Sequence, residues 1–213
     1  MTSPILTFDE VAHRYYMDGQ PVPGVTSIIG AVIPRRFNPG DYYLQRGSAL
    51  HRAIHLLTLG KLDMASVDES YKGKLDAFVN AKGKLDMKIV MSERMLGSAK
   101  LRYAGTLDCL AIITAALVLV DFKSSYSPEV VLQLAAYYNL LDEAKLDEPG
   151  WCTDGELLPS KAMALELKDD GQFKCHWYTK REIQLAFQTF KSVLTVANFM
   201  QKHNLTPTKE SAQ

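Results

Sequence analysis

The patterns of apolar residues predict a single domain of class α/β (α+β), in which β-strands and α-helices alternate along the chain. Short runs of β-branched or alternating apolar residues are followed by longer stretches of helical periodicity. The 213 residues are enough for one ordinary domain, and 47% hydrophobic with 23% charged residues is typical of a globular protein. The elements are taken below in chain order.

The first 40 residues predict a small N-terminal β-arm followed by a short helix. Strand-like runs occupy residues 5–8, 14–17 and 20–22, and Asp18-Gly19 is a strong turn pattern between the last two. The apolar stretch 25–33 predicts a helix, which Pro34 would end because proline cannot continue a helix.

Two helices and a strand are predicted next. A helical pattern covers residues 41–59 and ends at Gly60, and it places Gly47 and His51 on one face because they lie one turn apart. Residues 71–84 predict a second helix, and the alternation over 88–95 predicts a strand. That strand carries Glu93, for which a solvated strand residue is the simplest interpretation. The alternative is an acid that supports the ligands of a metal site.

Residues 105–123 predict the central hairpin of the fold. Two apolar runs, 107–113 and 117–120, flank a short interruption. With Thr114-Ala115 as a two-residue turn, counting outward along both strands brings Asp108 opposite Asp121. Strand alternation puts Lys123 on the same face as Asp121. Because neither Thr nor Ala favours a positive φ, the turn is a poor one and the register is open to slippage.

Two facing carboxylates beside an ammonium group need a physical reason. Ionised carboxylates repel each other and lose solvation at the edge of a core. A divalent cation such as Mg²⁺ removes the conflict, because it takes carboxylate, carbonyl and water oxygens as ligands. It would polarise a phosphoryl oxygen, while Lys123 would add positive charge to the transition state or position water. The alternative is a structural salt bridge between Asp121 and Lys123.

The C-terminal half predicts a helix, a second hairpin and a final helix. Ser127-Pro128 is a helix-start pattern, and that helix would run to about residue 145. Its Gln133 and Tyr137 lie one turn apart and could donate hydrogen bonds to phosphate, or could form a buried polar contact. Residues 161–167 and 173–178 predict a hairpin. A capping box at 179–182 opens the last helix, with core positions Ile183, Phe187, Phe190, Leu194 and Ala197.

Composition and charge exclude several classes of protein. The net charge of zero does not indicate a broad basic surface, although Arg35, Arg36, Arg46 and Arg52 form a local positive excess. Three widely spaced cysteines without a C-x-x-C pattern argue for a reducing compartment and against zinc or four-cysteine iron–sulfur sites. Neither a secretory leader nor an apolar run of roughly 18 residues is visible. We therefore expect a cytoplasmic protein without a membrane partner.

Four short motifs occur in a fixed order through the middle of the chain. They are Gly47-x-x-x-His51, Gly105-Thr-Leu-Asp108, Asp121-Phe-Lys123-Ser-Ser and Gln133-x-x-x-Tyr137. Their order and separations resemble those of the P-D-(D/E)-x-K nuclease superfamily, in particular its RecB-like and phage-exonuclease branch. Each motif alone is weak, but the four together over residues 46–138 are fairly specific. The resemblance implies a restriction-endonuclease-like core, in which helices flank a mixed central β-sheet, and divalent-metal hydrolysis of DNA.

The resemblance also implies a role for each matched residue. His51, Asp108 and Asp121 would ligate Mg²⁺ or Mn²⁺ together with the Phe122 carbonyl oxygen, and Lys123 would act with the two aspartates as the catalytic lysine. Substrate contacts would come from Gln133, Tyr137, Ser124, Ser125 and Arg46. Asp at position 121 replaces the commoner Glu, which changes the reach of the carboxylate but not its chemistry. The chain lacks the four cysteines of relatives that carry an iron–sulfur cluster.

These inferences predict a nuclease domain over residues 1–203, made of an arm (1–40) and a core (41–203), followed by a flexible tail (204–213). We expect an end-dependent DNA exonuclease of phage type that acts in recombination, replication or repair in a host cytoplasm. The alternatives are a structure- or sequence-dependent endonuclease and a DNA-binding module that has lost catalysis. DNA is the expected partner, and a single-strand annealing or replication protein is a further one. Strand polarity and oligomeric state are left open.

Overall fold

The structure is a computed structural model that describes residues 5–33, 41–144 and 158–205, with the backbone alone over 41–48. Its strands are β1 (Leu6–Asp9), β2 (Arg14–Met17), β3 (Gln20–Val22), β4 (Lys88–Ser98), β5 (Tyr103–Ile113), β6 (Ala116–Lys123), β7 (Lys161–Leu167) and β8 (Phe173–Thr179). Its α-helices are α1 (Val25–Val32), α2 (Asp41–Thr58), α3 (Glu69–Lys84), α4 (Val130–Ala144) and α5 (Lys180–Lys202). Among these helices, none combines the length and apolar character that a membrane crossing requires.

A mixed five-stranded sheet forms the centre of the molecule, in the order β4-β5-β6-β7-β8. Neighbouring strands are antiparallel except β6 and β7, which run parallel and are joined through α4. Helices α1, α4 and α5 pack on one face, where Leu119 and Phe190 lie in a common core. Helices α2 and α3 cover the other face around Phe78 and Val120. The predicted mixed central sheet flanked by helices is confirmed, and so is the N-terminal β-arm, which is the three-stranded sheet β1-β2-β3.

Local signals account for most of the element boundaries. The capping box is present at the start of α5, where the Thr179 hydroxyl accepts from the Glu182 N–H and the Glu182 carboxylate accepts from the Thr179 N–H. Helix α4 begins at Val130, later than the Ser127-Pro128 pattern predicts. The reason is that the Val130 N–H donates to the Ser127 carbonyl, so this turn is tighter than an α-helical one.

The predicted register of the central hairpin is confirmed. Ile113 pairs with Ala116, and the pairing continues in step to Cys109 and Val120. Thr114 and Ala115 have φ of 50° and 61°, so both turn residues adopt the left-handed conformation that a two-residue hairpin turn demands. The apolar faces of the two strands therefore fix the register against the preference of the turn residues.

Strands β5 and β6 separate beyond the pair Cys109–Val120, and we call this point the fork. On one side of it, residues 103–107 of β5 pair with β4, and on the other side residues 121–123 of β6 pair with β7. The N-terminal segment covers the edge of β5 that β6 leaves, because the Ala104 N–H donates to the Pro23 carbonyl at 3.0 Å and Gly24 bridges to Ala104. The arm and the neighbouring strands therefore cover parts of the fork, and solvent can reach only the parts that they leave uncovered.

The segment predicted as the arm also contributes to the core. Val25, Ile28 and Ile29 of α1 are buried in the cluster that α4 and α5 share. Met17 packs so closely on β4 that a Cβ added to Gly97 would lie 2.7 Å from its Cε atom. Residues 34–40, which precede the proposed boundary, fall outside the described residues, as do residues 206–213 of the predicted tail. The domain limits therefore stay a prediction.

Replacing Thr114-Ala115 with Asn-Gly should raise the free energy of unfolding by about 1 kcal/mol, because Asn and Gly tolerate the positive φ of this turn. Urea denaturation at equilibrium measures the change. The matched control is Ala116→Gly in the adjoining strand, which should lower the free energy by roughly 0.5–1 kcal/mol. A lower stability of the Asn-Gly variant would contradict the strain assigned to the turn.

Candidate active site

The backbone of Phe122 lies in the fork without a partner strand on that side, and two side chains take the strand's place. The Phe122 N–H donates to Asp108 Oδ2 at 2.7 Å, and the Phe122 carbonyl oxygen lies 3.1 Å from His51 Nε2. Asp108 Oδ1 lies 3.2 Å from His51 Nδ1. Asp108, His51 and the Phe122 peptide thus form one connected polar cluster in the fork.

His51 reaches this cluster from α2, on the opposite face of the sheet from α4. Buried Leu50 and Ile54 anchor that part of the helix in the core, and the His51 ring meets the edge of the Phe122 ring. Burial alone would lower the pKa of His51, but the charge of Asp108 and its hydrogen bond outweigh burial and raise the pKa to about 9. The imidazolium form donates from both ring nitrogens, one to Asp108 and one to Phe122.

Glu93 belongs to the same cluster, which corrects its interpretation as a solvated strand residue. Each of His51, Glu93 and Asp108 offers a ligand atom, and these three atoms lie within 4.8 Å of one another. Glu93 is half-buried and has a φ of 52° within β4, so the strand kinks at this residue. Burial, together with the charge of Asp108, raises the pKa of Glu93 to about 7. Strand prediction assumes that side chains alternate between the two faces of the sheet. The kink breaks this alternation, so the residue pattern does not reveal it.

Asp121 lies on the α4 side of the fork and is fully buried. Its Oδ2 atom is 2.6 Å from Lys123 Nζ, as strand alternation predicts, whereas its Oδ1 atom has no hydrogen-bond partner among the described residues. Burial and the nearby Asp108 raise the pKa of Asp121 to about 6, although Lys123 opposes them. A buried carboxylate oxygen without a partner is costly, and a bound cation would satisfy it.

Asp108 titrates in the opposite direction from Asp121. Burial would raise its pKa, but the charge and hydrogen bond of His51, the charge of Lys123 and the Phe122 N–H hold the pKa below its usual value. The two carboxylates predicted to face each other therefore have unlike surroundings. Asp108 is compensated inside the fork, whereas Lys123 is the one positive group in direct contact with Asp121 among the residues that the structure describes.

A chain of hydrogen bonds extends from Lys123 into α4. Lys123 Nζ donates to Gln133 Oε1 at 3.1 Å, and Gln133 Nε2 donates to the Tyr137 hydroxyl at 3.1 Å. Gly105 of β5 leaves room for this arrangement, because a Cβ there would lie 2.7 Å from Tyr137 Cε1. Gln133 and Tyr137 are buried and hold Lys123 in place, and their predicted contact with substrate stays a prediction.

The donor set of the fork fits a divalent metal ion. The oxygens of Asp108, Asp121 and Phe122 are of the type that Mg²⁺ and Mn²⁺ prefer, and the His51 imidazole suits Mn²⁺. Glu93 joins His51 and Asp108 in a group of ligand atoms within 4.8 Å of one another, and Asp121 is not a member of that group. The unpartnered Asp121 Oδ1 is the observation that a purely structural ion pair with Lys123 leaves unexplained.

The remaining predicted residues lie at the margins of the site. Ser124 and Ser125 follow Lys123 and are exposed, so they are accessible to a ligand. The side chain of Arg46 lies outside the described residues, as do Arg35 and Arg36, and Arg52 is exposed on α2. Their predicted contacts with substrate stay predictions.

Tyr15 of the β-arm is a neighbour of the site that the sequence analysis did not identify. Its hydroxyl lies 3.0 Å from Thr106 Oγ1, two residues before Asp108. Burial raises its pKa, and the charges of Glu93 and Asp108 add to the effect. The short strand pattern of the arm gave no reason to place Tyr15 beside a strand more than 80 residues away. The arm therefore forms one wall of the site.

Comparison with known proteins shows a similarity of fold. No protein-family model matches the chain, and no curated protein is similar to it in sequence. The crystal structure of a "putative exonuclease" from Eubacterium rectale matches with a TM-score of 0.50 and 10% identity, over 84% of this chain and 82% of that one. An alkaline exonuclease, LHK-Exo from Laribacter hongkongensis, matches with a TM-score of 0.34 and 10% identity, over 85% and 92% of the two chains. A structure of LHK-Exo in complex with dAMP gives the same score and identity over 86% and 93%.

The affinity of the protein for Mg²⁺ should rise with pH, because a metal ion must displace the protons of His51 and Glu93. Both groups have raised pKa values, about 9 and about 7, so the protonated forms compete with the ion below those values. Between pH 7 and 8.5 we expect an increase of about tenfold per pH unit, and a steeper one below pH 7. Isothermal titration calorimetry at several pH values measures it.

The variant Glu93→Gln separates the two contributions. It should weaken Mg²⁺ binding and remove the steepness that Glu93 adds between pH 6 and 7, while the rise that His51 causes persists. An affinity that is constant from pH 6 to 8.5, or a variant that binds as the wild type does, would contradict the place of Glu93 in the metal site.

Proposed function

We propose that this chain, which has the fold of the P-D-(D/E)-x-K nuclease superfamily, is a divalent-metal-dependent deoxyribonuclease that degrades DNA from its ends. The observation that carries the proposal is the cluster of His51, Glu93 and Asp108 at the fork, where Phe122 donates to Asp108 and Asp121, the residue before Phe122, contacts Lys123. The matched motifs supply carboxylate, imidazole and ammonium groups, which are types of group that metal-assisted phosphodiester hydrolysis needs. A role in recombination, replication or repair of the phage type belongs to the same proposal.

The metal site supports hydrolysis of a phosphodiester. A divalent ion held by His51, Glu93, Asp108, Asp121 and the Phe122 carbonyl oxygen would polarise a phosphoryl oxygen and lower the pKa of a bound water molecule. The ligands come from α2, β4, β5 and β6, all of which are fixed by the core on one or both faces of the sheet. Rigid placement of this kind keeps ligand geometry from relaxing during the reaction.

Lys123 is positioned to stabilise charge on the phosphate. Its side chain is 23% exposed, so the ammonium group can meet a ligand while it contacts buried Asp121. Gln133, held in turn by Tyr137, accepts one hydrogen bond from Lys123 and fixes its direction. A preoriented positive charge of this kind stabilises the transition state more than the bound substrate.

The groups nearest the fork are suited to the DNA backbone rather than to base edges. Lys123, Ser124 and Ser125 are side chains that bind phosphate oxygens, which position a strand without reading its sequence. Sequence readout needs an element that enters a groove and contacts base edges. The described part of the chain consists of the central sheet, its helices and a small arm. These features support an end-dependent exonuclease over a sequence-specific endonuclease.

The test of this function compares covalently closed circular DNA with the same DNA linearised, each with Mg²⁺ and with excess chelator. We expect linear DNA to be degraded in Mg²⁺ alone and the circles to survive. The Asp108→Asn variant is the control, and it should degrade neither. Circles cut at discrete positions would replace the exonuclease with an endonuclease, and binding without cleavage of either form would indicate a catalytically silent module.

Lys123→Ala should lower cleavage roughly 100-fold or more at saturating DNA, while DNA binding changes little. The reason is that a charge aimed at the transition state contributes more to turnover than to ground-state affinity. Binding is measured in Ca²⁺ and cleavage in Mg²⁺. Lys88→Ala, which removes an exposed positive charge at the far end of β4, is the matched control and should leave cleavage unchanged. A Lys123 variant with normal turnover would reduce this residue to a structural partner of Asp121.

A further inference from the structure

An aromatic stack lies beside the fork and is not part of the proposed metal site. The aromatic stack consists of Tyr126 and His176, whose ring centroids are 3.8 Å apart and whose ring planes differ by 8°. His176 Nε2 lies 3.1 Å from Glu166 Oε2, and the Tyr178 hydroxyl donates to the Tyr126 hydroxyl at 3.2 Å. One polar contact therefore restrains the His176 ring, and the other restrains the Tyr126 hydroxyl.

The pairing of the strands places the stack on the same sheet face as Asp121. Asp121 pairs with Ala164 of β7, and Ala164 pairs with His176 of β8, so the three form one row across the sheet. Adjacent strands lie about 4.8 Å apart, which puts His176 about 10 Å from Asp121 along that row. Glu166, which holds His176, pairs with Lys123 in the next row of this face. The stack is thus a direct lateral neighbour of the site.

The Tyr126 ring is covered on one face, and Tyr126 is partly open to solvent. His176 stacks on the covered face, while 37% of Tyr126 remains exposed. Tyr126 also follows Ser124 and Ser125, the exposed residues that lead away from Lys123. A chain segment that starts at the proposed catalytic lysine therefore ends in a fixed, solvent-facing aromatic ring.

We propose that the exposed face of Tyr126 stacks on a nucleobase of the single-stranded DNA end whose backbone lies at the fork. This inference rests on the proposed function. Aromatic rings that bind single strands stack on bases regardless of sequence, because every base presents a π-face. The 10 Å separation corresponds to about three nucleotides at a rise of roughly 3.4 Å, and to fewer in an extended strand. The stack would hold the strand in register while its phosphate occupies the metal site.

The fixed ring distinguishes this arrangement from an exposed tyrosine that happens to lie on a surface. A ring held by His176 and Tyr178 loses little further freedom when a base stacks on it, and such preorganisation favours binding. Lys174, exposed on the same face and paired with Glu166, adds a positive charge near the path of the strand. The competing explanation is that the stack only fastens the segment between β6 and α4.

The test measures the affinity for a fluorescent single-stranded oligonucleotide in Ca²⁺, where binding is read independently of cleavage. Tyr126→Ala should weaken binding roughly 5-fold or more, and Tyr126→Phe, which keeps the ring, should stay within about twofold of the wild type. The slope of log affinity against log salt should be unchanged in Tyr126→Ala, because a stacked base releases no counterions. Trp177→Ala is the control: Trp177 is 43% exposed and alternation points it to the opposite face of β8.

A second measurement does not depend on how well the alanine variant folds. Oligonucleotides with one abasic site at successive positions should show, with the wild-type protein, a loss of affinity at one position near the end. Tyr126→Ala should lose that position dependence. If the wild type tolerates abasic sites everywhere, or if Tyr126→Ala matches it in affinity and in the abasic pattern, the stack is only a structural fastening and the inference is wrong.

The failure of the inference and that of the proposed function have different signatures. Normal Mg²⁺-dependent degradation of linear DNA together with an indifferent Tyr126→Ala leaves the nuclease and overturns the stacking site. Tyr126-dependent binding by a wild-type protein that never cleaves supports the stacking site and overturns catalysis. A wild type that neither binds DNA in Ca²⁺ nor degrades linear DNA in Mg²⁺ overturns both.

Discussion

The separation of β5 and β6 at the fork is the constraint on which the site depends. Once the strands part, the N–H and carbonyl groups of Phe122 lie in the interior without a strand to bind, and unpaired backbone groups are costly there. Asp108 takes the N–H and His51 takes the carbonyl oxygen. This requirement buries the carboxylate, brings α2 against the sheet at His51, and leaves an edge of β5 for Pro23 to cover. The side chains that satisfy the Phe122 backbone groups are thus among those that would bind the proposed metal ion.

The charges at the fork balance in pairs across the sheet. His51 compensates Asp108 from the α2 side, and Lys123 compensates Asp121 from the α4 side. The His51 imidazolium contacts Asp108 Oδ1 and the Phe122 carbonyl oxygen, two of the atoms that the sequence assigns to a metal ion. The proton on His51 therefore serves as a positive charge of this cluster, and its interaction with Asp108 raises the pKa of His51 despite burial. Glu93 lacks a positive partner of its own in direct contact among the described residues, and its raised pKa reflects this.

Much of the fold could be predicted because its local and long-range preferences agree. Two continuous apolar runs on either side of Thr114-Ala115 predicted the hairpin register even though these are poor turn residues. Both faces of the hairpin are buried, so a slip by one residue would send every side chain to the wrong core. The capping box and the spacing of Asp121 and Lys123 are equally local. Tyr15 could not be predicted, because its contact with Thr106 joins elements far apart in sequence and is set by how the arm packs. The solvated interpretation of Glu93 does not hold, because strict alternation cannot describe a kinked strand, whereas its alternative as an acid beside the metal ligands stays a prediction.

The kink at Glu93 changes the direction of β4 at the site, while Met91 before it and Leu96 after it stay in the core. Leu107 and Leu110 lie in the same core cluster, as do Met91 and Leu96, so both β4 and β5 switch faces across Glu93 and Asp108. The pairing has the same offset before and after the switch, from Met91–Leu110 to Arg94–Leu107. The pairing therefore stays in step across Glu93, and the register shift in β4 lies farther along the strand, between Ile89 and Met91. A left-handed glutamate costs on the order of 1 kcal/mol, and the result is that a half-buried acid and a buried one point into the fork together. Because the neighbouring rows remain regular, the core on either side holds this row in place, and the strained residue is kept by packing rather than by its own contacts.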